Sequence, residues 1–414
     1  MIRFEKFTLD NGLRILVHKD QSTPIVAFNL LYDVGARDEM ENQTGFAHLF
    51  EHLMFGGSIN INDFDIPLQE AGGENNAFTS NDLTNYYATL PVQNLETAFW
   101  LDSDRMLSLA FSEKSLSVQK NVVIEEFKQR YLNQPYGDVW LLLRPLAYTI
   151  HPYKWATIGK EIAHIEGAEM PAVRAFFEKH YGPQNAILCV SGNVELDEVS
   201  QLALKYFGPL PAREKYVRSI PSEPKQDGYR ELTVKRNVPA HAIYKAFHMC
   251  ERTHPDYHAA DLLSDLLSNG HSSRLQRTLV KEQGVFSEIS AFIMGSHDAG
   301  LFVVTGKIAD GIAVEIANNC IDIELEKIKN ELVDDHELQK VKNRLESTQM
   351  FNEMTALNKA MNLCYYELLG DAALINCEVE KYNAVNSEQI QRVAKEILQK
   401  KNCSTLFYLS KNKV

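Results

Sequence analysis

Two stretches of this sequence finish alike, and that constrains the fold more than any other feature. A run of helical patterns leads into Asn185-Ala-Ile-Leu-Cys-Val-Ser-Gly-Asn193, and a second run leads into Asn402-Cys-Ser-Thr-Leu-Phe-Tyr-Leu-Ser-Lys-Asn412. Between them lies a segment rich in proline and charge, from Gly208-Pro-Leu-Pro to Ser222-Glu-Pro-Lys-Gln-Asp-Gly228. This is the pattern of a diverged duplication with a linker in the middle. The chain has 414 residues, 45% of them hydrophobic, so each half can bury a core of its own. Each half mixes antiparallel-style strands with segregated helices. The expected fold class is therefore α+β. It comprises two homologous domains at 1–210 and 229–414, each a mostly antiparallel sheet flanked by helices, with a linker at 211–228.

Strand signals open the first half. Residues 4–9 and 13–18 flank Asp10-Asn11-Gly12, a strong hairpin signal, and 25–32 follows Ser22-Thr23-Pro24. The stretch 44–55, Thr-Gly-Phe-Ala-His-Leu-Phe-Glu-His-Leu-Met-Phe, is apolar and free of proline. Asn42 or Thr44 could cap it, so it reads as a helix. The polar run 72–79 reads equally well as a loop or as an edge strand, and 82–90 alternates like a strand. Helical periodicity covers 91–110, 113–131, 139–148, 168–180 and 195–207. In the second half, strand patterns occupy 229–235, 240–248, 286–293, 300–307 and 404–409. Helices are expected at 257–268 and 272–282, with long ones in 310–401.

The apolar helix at 44–55 contains His48-x-x-Glu51-His52. On a helix, His48 and His52 are one turn apart and share a face, so both imidazoles can grip one zinc ion. A catalytic zinc site keeps one position open for water, and a carboxylate such as Glu51 beside that water can take its proton. This order, the reverse of His-Glu-x-x-His, is the inverzincin signature. The bland alternative is a buried helix whose histidines bond to neighbours. A third protein ligand is missing from the motif. Downstream, Val122-Val-Ile-Glu125-Glu126-Phe127 places two glutamates beside an apolar patch. Adjacent helical residues point about 100° apart, so only one of the two can serve.

Charge and cysteine usage narrow the function classes. The net charge of −13 argues against a nucleic-acid binder held by phosphate contacts. No apolar run is long enough to span a bilayer. The first residues hold no signal-peptide core, which sets the expectation of a cytoplasmic protein. The six cysteines show no Cys-x-x-Cys pair and read as reduced thiols.

Several motifs in order now carry a resemblance. They are Val34-Gly-Ala-Arg-Asp-Glu39, Gly45-x-Ala-His-x-x-Glu-His-x-x-Phe55, Asn76-Ala-Phe-Thr79 and Asn121-Val-Val-Ile-Glu-Glu126. Together they resemble the pitrilysin/insulinase family of zinc peptidases across the whole chain. The size and duplication are similar to its two-domain members of the mitochondrial processing peptidase β type. The resemblance implies Zn2+ held by His48, His52 and Glu126, with Glu51 as general base and Glu125 pointing elsewhere. It also implies that Asn76, Ala77 and Phe78 lie on an edge strand to which substrate adds as a further strand. The implied activity is that of a zinc metalloendopeptidase on peptides or unfolded segments, and the implied assembly is a dimer.

Two departures from the family pattern bear on that activity. Gln119 stands where many members carry a glutamate two turns before the zinc glutamate. The amide can still hydrogen-bond but carries no charge. Active members also use a spaced Arg and Tyr after Ser-Arg-Leu to stabilise the oxyanion. Here Ser272-Ser-Arg-Leu275 is present, but the two positions hold Val280 and Ser287. The resemblance then implies a heterodimer whose homologous partner chain supplies the Arg and Tyr. Two rival expectations stand beside it. One is a non-catalytic scaffold or core subunit of the same fold, which has no need of all of His48, Glu51, His52 and Glu126. The other is a maturation peptidase dedicated to one peptide precursor.

Overall fold

The structure is a computed structural model and describes residues 1–411. The chain forms two compact units, neither of them continuous in sequence.

The first unit comprises Met1–Gln129, Trp155–Ile220 and Met350–Cys377. Its sheet contains β1 (Glu5–Thr8), β2 (Arg14–Lys19), β3 (Ile25–Tyr32), β4 (Glu74–Thr79), β5 (Thr84–Pro91) and β6 (Ala186–Gly192). The spatial order is β1-β2-β6-β3-β5-β4, so β4 is an edge strand and not a loop. Only β2 and β6 run parallel. β3 is buried on both faces because successive side chains point opposite ways. Phe28 and Tyr32 enter an aromatic core with Phe99, Phe207, Tyr86 and Tyr181. Ala27 and Leu31, on the other face, pack with Leu363 and Cys364. The buried Asn29 on that strand is satisfied by Asn85, the two amides exchanging hydrogen bonds of 3.0 and 2.8 Å.

The second unit comprises Arg130–Lys154, Pro221–Gln349 and Glu378–Val414, of which residues to 411 are described. Its strands are β7 (Arg230–Arg236), β8 (Ala242–His248), β9 (Phe286–Met294), β10 (Leu301–Ile308) and β11 (Cys403–Ser410). They are ordered β7-β11-β8-β10-β9, and only β7 and β11 are parallel. Apart from β1, the two sheets share strand order and pair directions, strand for strand. That is the duplication expected from the sequence, in a two-domain α+β fold.

Packing does not follow the halves 1–210 and 229–414. The Ala356–Leu368 helix, late in the chain, covers one face of the first sheet through Ala360, Leu363 and Cys364. The Val139–Ala147 helix, early in the chain, covers one face of the second sheet through Val139, Leu143 and Ala147. Each sheet is apolar on both faces. Leu363 and Leu143 are fully buried, and burying a leucine stabilises by about 1.5–3 kcal/mol. The expected linker is also more than a tether. Arg213 donates to the carbonyls of Phe177 (3.1 Å) and Met106 (3.3 Å), and Arg218 pairs with Asp33 and Asp38 at 2.8 and 2.7 Å. Farther on, within the second unit, Glu223 accepts from the N–H groups of Thr149, Ile150 and His151. Among the described residues, no helix is long and apolar enough to cross a membrane.

Glu378 begins the last segment of the second unit. Its buried carboxylate accepts from Arg252 and, at 3.1 Å, from His258 on the Tyr257–Ser268 helix. Burial alone would raise its pKa, but the His258 hydrogen bond and the Arg252 charge outweigh that and bring it down to about 2. The folded carboxyl is thus more acidic than the unfolded one at 4.5. Its stabilising contribution is complete above that pH and fades as pH falls toward 2. Glu378→Gln should cost about 2–4 kcal/mol in urea denaturation at pH 7, since it removes the buried negative charge that Arg252 and His258 both face. The gap between variant and wild type should narrow below pH 4.5. Equal stability at pH 7 would contradict this account of the cluster.

Candidate metal centre

Both motif histidines sit on the Phe46–Leu53 helix. Its buried face is Phe46, Ala47, Leu49, Phe50 and Leu53, with Phe50 stacked on Tyr181 at 5.0 Å. His48 and His52 lie on the other face, one turn apart, with ring centroids 4.9 Å from each other.

Neither Asn42 nor Thr44 caps this helix. The N-cap is Gly45 at φ +88°, and a Cβ there would come within 2.6 Å of the Ile158 carbonyl oxygen. The Thr44 hydroxyl turns instead to His164 Nδ1 at 2.7 Å and accepts from the Lys160 N–H at 2.8 Å. The capping group is the Glu39 carboxylate, which accepts from the N–H of Gly45 (2.9 Å) and of Ala47 (2.8 Å). Burial pushes the Glu39 carboxyl well above the usual range, against the pull of the Ala47 and Gly45 N–H groups. At the other end, Arg105 lies over the rings of Phe64 (4.4 Å) and Tyr86 (4.5 Å) and reaches Phe55 (5.7 Å). The residue that follows the helix into its terminal turn is thereby anchored to the sheet.

The Glu113–Phe127 helix packs beside the Phe46–Leu53 helix and brings in Glu126. Glu126 Oε2 lies 3.6 Å from His48 Nε2 and 3.4 Å from His52 Nε2. One ligand atom from each of the three falls within 4.8 Å of the others. These separations are long for hydrogen bonds. They suit a shared ion: two ligands about 2.1 Å from a tetrahedral zinc stand about 3.4 Å apart. The donor set of two imidazoles and one carboxylate is chemically apt for zinc, and all three groups are half-buried. Glu125 points elsewhere and pairs with Lys128 at 2.7 Å.

Glu51 accepts a 2.6 Å hydrogen bond from the hydroxyl of Thr79, the last residue of β4. Asn76, Ala77 and Phe78 lie on that edge strand. The Asn76 side chain accepts from the Ala77 N–H at 2.8 Å, and Phe78 is 40% exposed. Gln119 lies beside Gly56, just past the histidine helix. In the second unit, Val280 is packed against the apolar core, and the Ser287 hydroxyl donates to the Lys307 carbonyl at 3.2 Å. Neither offers a cation or a phenol. Arg274 is held by Glu337 through bonds of 2.8 and 3.1 Å.

Two residues of this neighbourhood were not singled out from the sequence. Glu39 and Thr79 both lie within motifs quoted above, but no local spacing assigns them roles. A capping glutamate six positions before its N-cap has no local signature. Thr79 meets Glu51 only once β4 is laid beside the helix.

The chain matches the family profile described as Insulinase (Peptidase family M16) over residues 14–148. It also matches the one described as Peptidase M16 inactive domain over 169–345. It is 30% identical over 413 residues to the zinc protease PqqE of Helicobacter pylori, covering 98% of this chain and 92% of that one. It is 22% identical over 410 residues to a probable mitochondrial-processing peptidase subunit β of Arabidopsis thaliana, covering 95% and 76%. The solved structure of a protease from Helicobacter pylori superposes with a TM-score of 0.94 at 29% identity, over 99% of this chain and 100% of that one. The chain therefore belongs to the pitrilysin/insulinase family of peptidases, M16, as a member built from two homologous domains.

Proposed function

We propose that this chain is a zinc metalloendopeptidase subunit, with the zinc centre in the first unit. The observation that carries this reading is the convergence of His48 Nε2, His52 Nε2 and Glu126 Oε2 at separations suited to one tetrahedral ion. Bound zinc would acidify a water and polarise a peptide carbonyl. Glu51 accepts the proton of the attacking water and passes it to the departing amine. The free edge of β4, with Asn76, Ala77 and Phe78, takes the substrate as an added strand through backbone hydrogen bonds. Such recognition tolerates many side chains, which fits peptides and unfolded segments as substrates.

Oxyanion stabilisation is the part this chain does not supply from the expected positions. With Val280 and Ser287 there, a homologous partner chain bearing Arg and Tyr completes the site, and the working assembly is a heterodimer. The partnership is supported by the likeness to a processing-peptidase β subunit.

Glu51→Gln should lower peptide hydrolysis by about 10²–10⁴-fold while leaving one zinc per chain, measured with a quenched fluorescent peptide library and metal analysis. Loss of zinc from that variant would move Glu51 from base to ligand. Glu126→Gln should weaken zinc retention by at least about tenfold in a competition titration against a chelator. Glu125→Gln should retain zinc like the wild type. The opposite outcome for the two glutamates would contradict the ligand assignment. If the zinc-loaded chain is inactive alone, adding a homologous Arg/Tyr-bearing chain should restore hydrolysis.

A further inference from the structure

The general base has a partner that the zinc ligands do not explain. The Thr79 hydroxyl donates to Glu51 Oε2 at 2.6 Å, a short charge-assisted bond. Alternation along β4 puts Asn75, Ala77 and Thr79 on its half-buried face and Glu74, Asn76 and Phe78 on its exposed one. Thr79 thus points off the face of the very strand whose outer edge is left for a peptide. Its backbone is fixed by pairing with Thr84 of β5, and the Thr84 hydroxyl is itself tied to the Val34 carbonyl at 2.9 Å. The hydroxyl is therefore presented from a rigid position.

We propose that Thr79 is a positioning residue: it holds the Glu51 carboxylate in its working orientation and links that orientation to the strand on which substrate is seated. The proposal rests on the peptidase reading above. A hydroxyl suits the task because a carboxyl group keeps acceptor capacity on one oxygen whether the other is ionised or protonated. The same bond therefore survives while Glu51 takes up a proton and gives it away. Alanine removes the donor, and valine keeps the shape of threonine without it. Serine keeps the donor and loses only a methyl group.

The test uses full-length Thr79→Ala, Thr79→Val and Thr79→Ser, with Glu51→Gln as the reference. Steady-state peptide hydrolysis and zinc content are measured, with the Arg/Tyr-bearing partner present if the assembly needs it. T79A and T79V should lose about 10- to 100-fold in kcat with KM little changed and zinc retained, and T79S should recover most of the loss. Full kcat in T79A, or an equal loss in T79S, overturns the proposal. Crystal structures of zinc-loaded wild type and T79A give a readout independent of turnover. Glu51 should contact Thr79 in the first and adopt another rotamer in the second. An unchanged Glu51 rotamer in T79A also overturns the proposal. Failure of the underlying reading looks different: a wild-type chain that binds no zinc, or an active Glu51→Gln.

Discussion

A sheet that is apolar on both faces needs a cover on each, and neither half of this sequence covers both faces of its own. The central strands set that demand. β6 is buried along its whole length, and β3 sends Phe28 and Tyr32 one way and Ala27 and Leu31 the other. The first sheet receives its second cover from Ala356–Leu368, and the second sheet receives its own from Val139–Ala147. Each compact unit is consequently assembled from distant parts of the chain. Cys364, inside the exchanged helix, sits with its thiol 3.6 Å from the Ile187 carbonyl on β6 and 3.7 Å from that of Asn29 on β3. That intimacy is what an interior cover requires, and it makes the first sheet dependent on residues far beyond the linker.

On that frame, the two copies of the fold have gone different ways at one place. The Phe46–Leu53 helix lies between β3 and β4, and the Tyr257–Ser268 helix lies between β8 and β9. In the first copy, His48 and His52 converge with a carboxylate from a neighbouring helix. In the second, the polar side chains are consumed by internal bonds: His258 with Glu378, Asp261 with Tyr382 at 2.6 Å, Asp265 with Asn269 at 2.7 Å. Among the described residues only the first copy gathers a metal-binding set. Strand order and pair directions are the same apart from β1, so the arrangement of the sheets does not account for the difference. The helix that bears the histidines is also held at both ends by remote groups. Glu39 fixes its start, and Arg105 anchors the turn after it through Phe55.

Much of this was legible in the sequence because it rests on local periodicity. The strands 25–32 and 82–90, the histidine helix and the duplication all follow from apolar spacing and turn residues. Either Glu125 or Glu126 could be nominated as a ligand from helix geometry, and family resemblance pointed to Glu126. What periodicity could not reveal depends on contacts between distant residues. An apolar stripe does not say which sheet it covers, so the exchange of Val139–Ala147 and Ala356–Leu368 was invisible. The run 72–79 is polar and short, and its strand character comes from pairing with β5, not from its own residues. The cap of the histidine helix was misplaced for a related reason. Thr44 has the right chemistry and position, but Gly45 takes a left-handed turn that hands the capping role to Glu39.

In the proposed function, two helices of the first unit hold one zinc ion between them. The test is anomalous diffraction at the zinc edge, from crystals of the full chain grown with one equivalent of zinc. A single strong peak within about 2.0–2.2 Å of His48 Nε2, His52 Nε2 and a Glu126 carboxylate oxygen is the expected result. A peak elsewhere, or none at those three atoms in a folded chain, would contradict it.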